Sequence, residues 1–182
     1  ALDGGAFVQD NTMWFVSARE GYSGVNLFTA TYLQGRWANW SYPGDLPNRE
    51  YQVGEMHITA DGRALYFGST RAGGLGGMDI WVTTKVNGQW QTPVNVEAVN
   101  TDHDDGYPYL SEDGNELWFN RDYGIYRSLK VGGQWQAPEL VVSPLAGEPT
   151  LDSRGNLFFV HHYYDDPANK IWEADIYICR RK

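Results

Sequence analysis

Thr59-Ala60-Asp61-Gly62-Arg63-Ala64-Leu65-Tyr66-Phe67 is the stretch on which the reading of this chain turns. Asp-Gly is a turn signal, because glycine takes the positive φ that a tight hairpin needs. The apolar and aromatic run after it has strand character, since flat rings pack well on a pleated surface. Ser111-Glu112-Asp113-Gly114 with Leu117-Trp118-Phe119 repeats the pattern, and Arg154-Gly155 with Leu157-Phe158-Phe159 repeats it again. A looser copy is Asp10-Asn11 with Met13-Trp14-Phe15. The central aromatics Trp14, Tyr66, Trp118 and Phe158 lie 52, 52 and 40 residues apart. Self-similarity at such a period marks a repeat architecture.

Two further motifs follow each aromatic one in register. The first is Asn26-Leu27-Phe28, Asp79-Ile80-Trp81, Gly124-Ile125-Tyr126 and Asp175-Ile176-Tyr177. The second, in three copies only, is Gly35-Arg36-Trp37, Gly88-Gln89-Trp90 and Gly133-Gln134-Trp135. Pro93 and Pro138 follow the last two tryptophans, as suits an edge strand where a missing N–H goes unnoticed. Each unit therefore reads as four short antiparallel strands, one propeller blade. The expected fold is an all-β propeller of about four blades, at residues 1–47, 48–99, 100–142 and 143–182. The fourth unit lacks the Gly-x-Trp strand, so a three-stranded last blade in a closed ring is expected. An open fragment, or assembly with a second copy into a homo-oligomer, is the alternative.

The strings Thr59-Ala60-Asp61-Gly62 with Leu65-Tyr66-Phe67, and Ser69-Thr70-Arg71-Ala72-Gly73-Gly74 with Asp79-Ile80-Trp81, resemble the blade repeat of TolB-type, WD-repeat-like propellers. The family proline after the first serine is missing in every copy, and the third copy lacks the Gly-Gly loop. The resemblance implies a periplasmic or secreted protein that binds a small molecule or another protein on a propeller face.

Composition narrows the partners. The net charge of −9 gives no basic footprint for nucleic acid. No apolar run reaches the length of a membrane-spanning helix. Cys179 is the only cysteine, so no internal disulfide can form, and a buried strand cysteine is expected.

In a propeller the first strand of each blade lines the axis, with alternate residues facing it. Alignment on Gly54, Gly106 and Gly147 puts Glu55, Tyr107 and Glu148 at one level, and His57, Tyr109 and Thr150 at the next. The first copy supplies Asp3 or Gly4, then Ala6 or Phe7. Glu55, His57, Asp105 and Glu148 form a candidate site for a divalent cation, calcium by its oxygen ligands or zinc by its histidine. Tyr107 and Tyr109 are candidate ligand contacts beside it. Asp102-His103-Asp104-Asp105-Gly106 is one residue short of a calcium-loop spacing and reads as a solvated loop; its first-copy counterpart is Asn48-Arg49-Glu50. Arg19, Arg71 and Arg121, with His162 in the fourth copy, hold one place after the second strand. They read either as anion contacts or, preferred here, as latches onto a carboxylate such as Asp79 or Asp175. His161-His162-Tyr163-Tyr164-Asp165-Asp166 reads as a long polar-aromatic loop with ligand potential.

No nucleophile elbow, phosphate loop or dinucleotide fingerprint is present. Two functions follow. One is a ligand- or protein-binding module with a cation in its channel. The other is a metal-dependent hydrolase of lactone or phosphotriester type, with His57 as ligand or general base.

Overall fold

A computed structural model of the chain describes residues 2–22, 24–44, 53–165 and 170–181. Four antiparallel sheets form a four-blade β-propeller. Blade 1 holds β1 (Leu2–Gln9), β2 (Thr12–Ala18), β3 (Asn26–Leu33) and β4 (Arg36–Ser41). Blade 2 holds β5 (Val53–Ile58), β6 (Ala64–Ser69), β7 (Asp79–Val86), β8 (Gln89–Trp90) and β9 (Val94–Asn95). Blade 3 holds β10 (Asp105–Leu110), β11 (Glu116–Arg121), β12 (Gly124–Val131), β13 (Gln134–Trp135) and β14 (Glu139–Val142). Blade 4 has three strands, β15 (Ala146–Leu151), β16 (Leu157–Asp165) and β17 (Lys170–Cys179).

The turn chemistry is that of the repeat. Gly62, Gly114 and Gly155 take φ of 68°, 69° and 74°, and Asp10 takes 52° in blade 1. The Thr59 hydroxyl donates to Asp61 (2.6 Å) and accepts the Ala64 amide (3.0 Å). Ser111, Asp113 and Glu116 repeat that arrangement. Pro93 and Pro138 divide the outermost strand into two short pieces, and both pieces pair with the third strand of their blade.

Strand alternation sends one set of residues to each neighbouring blade. Trp14, Val16 and Leu27 pack on Val53, Leu65 and Phe67 of blade 2. Tyr66 and Ile80 pack on Leu117 and Phe119 of blade 3. Trp118 and Ile125 pack on Leu157 and Phe159 of blade 4. Each fully buried aliphatic side chain in these seams contributes on the order of 2 kcal/mol.

The seam from blade 4 back to blade 1 is different. Leu27, Ile80 and Ile125 are each 0% exposed, whereas Ile176, their counterpart in blade 4, is 78% exposed. No apolar cluster among the described residues joins blade 4 to blade 1. The expected four-blade propeller thus has three packed seams, and among the described residues the seam between blades 4 and 1 has no apolar cluster. Cys179 is exposed, correcting the expected burial: among the described residues no strand pairs with β17 on its outer side.

The innermost strand of every blade carries a β-bulge, at Gly4/Phe7, Val53/Met56, Gly106/Tyr109 and Gly147/Thr150. A bulge sets two residues against one on the partner strand and bends the chain there. Gly5, Tyr107 and Glu148 occupy the bulge at positive φ (54°, 53° and 56°). Such a backbone suits glycine, yet two blades place a large side chain in it.

Candidate functional site at the propeller axis

The bulges build the axial level. Glu55 and Tyr107 line a cleft of about 830 Å³ together with Gly5, Met78 and Asn120. A β-carbon added to Gly5 would stand 3.3 Å from Val16 Cγ2 and 3.5 Å from Glu55 Cγ, so blade 1 meets that glutamate with close-packed bare backbone. The first-copy register is thereby fixed: Gly5 lies at the Glu55 level and Phe7 at the His57 level.

Burial raises the Glu55 carboxyl above the ordinary range, a hydrogen bond with the Tyr107 phenol opposes that rise, and the nearby Glu148 adds to it. The Tyr107 phenol is pushed up to about 12 by burial and by both glutamates, so it stays protonated as a donor. The Asn120 side-chain oxygen accepts the Glu148 amide at 3.0 Å and so fixes the strained backbone there. Asn120 escaped the sequence reading, although it stands where the other copies carry valine or glycine at the end of the second strand (Val16, Gly68, Val160). That polar substitution was its available signal.

The remaining expected residues lie elsewhere. His57 and Tyr109 line a second cleft, about 640 Å³, at the opposite end of the inner strands. The His57 ring sits 4.3 Å from Phe7 and 4.2 Å from Tyr109 between centroids. Its Nδ1 accepts the Leu110 amide (3.2 Å), which places the proton on Nε2. Burial drops its pKa to about 4. Asp105 is fully buried, with one oxygen on Arg121 Nε (2.7 Å) and the other on the Thr101 amide (2.8 Å). Burial raises its carboxyl, and Arg121 opposes that rise. The four residues proposed as cation ligands are thus divided, and among the described residues no three His, Cys, Asp or Glu side chains group to hold a metal ion.

The repeated arginine serves as a latch, with a different partner from the expected one. Arg121 pairs with Asp105, and Arg19 pairs with Asp3 at 3.3 Å. Both carboxylates stand one residue before the aligned glycine of their own inner strand. Arg71 lies over Phe67 and Trp81 and donates to Ser69. Asp79 instead accepts the Leu75 and Gly76 amides, and Gly74 has no room for a side chain beside its carboxylate. Asp175 faces His161 across the β16–β17 pair. His162 lies near Gly147. The stretch from His161 to Asp165 is strand rather than loop, because β16 and β17 run on as one long hairpin. In the segment before Asp105, His103 pairs with Asp122 at 2.9 Å, and Asp104 accepts the Met78 amide. Asp166 and Asn48-Arg49-Glu50 lie outside the described residues.

No family model matches the chain, and no curated protein matches it. Solved structures with a similar fold include two enzymes. One is a puromycin-hydrolyzing peptidase of Mycobacterium tuberculosis, with TM-score 0.56 and 15% identity over 93% of this chain. The other is the catalytic domain of the Coprinopsis cinerea GH62 α-L-arabinofuranosidase, with TM-score 0.58 and 12% identity over 95% of this chain. The chain spans 30% of the first and 62% of the second.

Proposed function

We propose that the chain is a binding module whose axial cleft takes a small cationic ligand, held by Glu55 and Glu148 with the Tyr107 phenol beside them. The observation that carries this reading is the convergence of these side chains from three blades, two of them on bulges in a backbone costly for any residue with a β-carbon. Two carboxylates in mutual repulsion favour a cation, whose arrival stabilises both ionised forms. The two glutamates fall short of a full protein cage, so a hydrated divalent cation or an organic ammonium group suits them better than a desolvated ion. The TolB-type resemblance supports a periplasmic or secreted setting for such a module.

Titration calorimetry with calcium, zinc and a primary alkylamine tests this. At least one should bind the wild-type protein and lose tenfold or more in affinity with Glu55→Gln and with Glu148→Gln. No heat from any of the three overturns the reading.

One observation favours a hydrolytic alternative: two neighbouring carboxyls, of which Glu55 is held toward its protonated form by burial. Such a pair can divide acid and base roles at a glycosidic, ester or phosphoryl bond, with or without a bound cation. Turnover of aryl glycosides, lactones or phosphotriesters that Glu55→Gln abolishes would establish it.

A further inference from the structure

The cleft that His57 and Tyr109 line, at the opposite end of the inner strands, has no part in the cation reading. All four blades contribute to its wall: Phe7 from blade 1, His57 from blade 2, Tyr109 from blade 3 and Leu151 from blade 4. The His57–Tyr109 pair, with ring centroids 4.2 Å apart, stands on the two middle blades. The volume of about 640 Å³ is that of an ordinary small-molecule site, where an apolar wall carries a few placed polar groups.

Hydrogen bonding at the wall is one-sided. The Leu110 amide fills His57 Nδ1, so the ring is neutral and carries its proton on Nε2. That N–H has no acceptor among the described residues, although the side chain is 7% exposed and borders the cleft. A donor so placed calls for an acceptor brought by whatever enters.

Charge disfavours both kinds of ion. A cation would face the positive end of the Nε2–H dipole. An anion would meet an acidic rim: Glu116 is already paired with Arg181 at 2.6 Å, which leaves Glu112, Asp113 and Asp152 against Arg154. The wall therefore suits an uncharged molecule with an acceptor toward His57, an apolar face toward Phe7 and Leu151, and hydroxyl donors toward the rim carboxylates. A pyranose combines these features, with a face of C–H bonds and a girdle of hydroxyls.

We infer that this second cleft binds a neutral sugar, one oxygen accepting from His57 Nε2 and hydroxyls donating to the acidic rim. The site is separate from the Glu55–Glu148 cleft and does not depend on the reading given to it.

Amide chemical-shift mapping of the full chain tests this with glucose, galactose, mannose and xylose, each free and as a disaccharide. At least one should give saturable shifts at Leu110, Ser111 and Ser153, with Tyr107 and Glu148 unmoved. A disaccharide that binds more tightly than its monosaccharide identifies a glycan end as the ligand, and equal binding identifies a free sugar. His57→Phe should weaken binding tenfold or more. Glu112→Gln, at an exposed rim position, should weaken it about threefold without moving the melting temperature, and it carries the test should His57→Phe fail to fold. Absence of saturable shifts from every sugar overturns the inference. So do shifts centred on Tyr107 and Glu148, undiminished binding by His57→Phe, or tighter binding of glucuronate or glucosamine than of any neutral sugar.

Discussion

His57 makes a sharp prediction about acid sensitivity. It is 7% exposed, packed edge-on to Phe7 and tilted against Tyr109, and its Nδ1 is occupied by the Leu110 amide. Charging the ring breaks that hydrogen bond and buries a cation. Burial therefore lowers the pKa from 6.5 to about 4 in the folded protein, while the unfolded chain keeps the ordinary value. Between those two values the unfolded state binds the proton and the folded state does not, so stability rises with pH across the window. Acidification from about pH 7 to 4 should remove about 3 kcal/mol, from ~1.4 kcal/mol per pKa unit. Glu55 and Asp105 have raised pKa values, so their effect has the opposite sign and is concentrated near the acid end. Comparison with His57→Phe cancels their share. The variant fills a similar volume but leaves the Leu110 amide unpaired, which costs about 1–2 kcal/mol at neutral pH. Urea unfolding followed by tryptophan fluorescence, repeated across that pH range, should give curves that converge or cross on acidification. Parallel pH profiles for the two proteins would refute the argument. So would an imidazole resonance that titrates near 6.5 and is missing from the variant.

Arg121→Met should destabilise the fold by about 3–5 kcal/mol in urea unfolding, because it strands the fully buried Asp105 carboxylate. Asp105→Asn in the same background should recover a large part of that loss. Glu148→Gly should raise stability by up to about 1 kcal/mol by relieving the φ of 56°, while abolishing cation binding in calorimetry. Ser111→Ala should cost about 1 kcal/mol, read as a shift in urea midpoint, because the Glu116 amide loses its acceptor.

The blades were legible in the sequence because their signals are local: an aromatic strand after a tight turn recurs in all four units, with a Ser/Thr-x-Asp-Gly turn in two and a Gly-x-Trp edge in three. The level shared by Glu55, Tyr107 and Glu148 was legible too, since aligned glycines keep their register around the axis. What the sequence hid was long-range. The Arg121–Asp105 pair joins the inner strand to the second strand across a bulged ladder, a facing that the repeat alignment did not display, so Asp79 and Asp175 of the third strand were named as partners instead. The separation of His57 from Glu55 was hidden likewise, because a two-residue spacing says which face is shared and not which end of a channel is reached. The exposure of Ile176 was invisible because Asp175-Ile176-Tyr177 reads like its buried counterparts in the other blades.

The kink in each innermost strand separates two tasks that a regular strand would couple. Blade cohesion rests on residues before and after it, while the residue at the kink projects toward the centre and supports little else. Glycine, tyrosine and glutamate already share that place in three blades. Exchanging such a residue would therefore change the chemistry offered at the centre and spare the scaffold, so selection could vary the cleft one blade at a time.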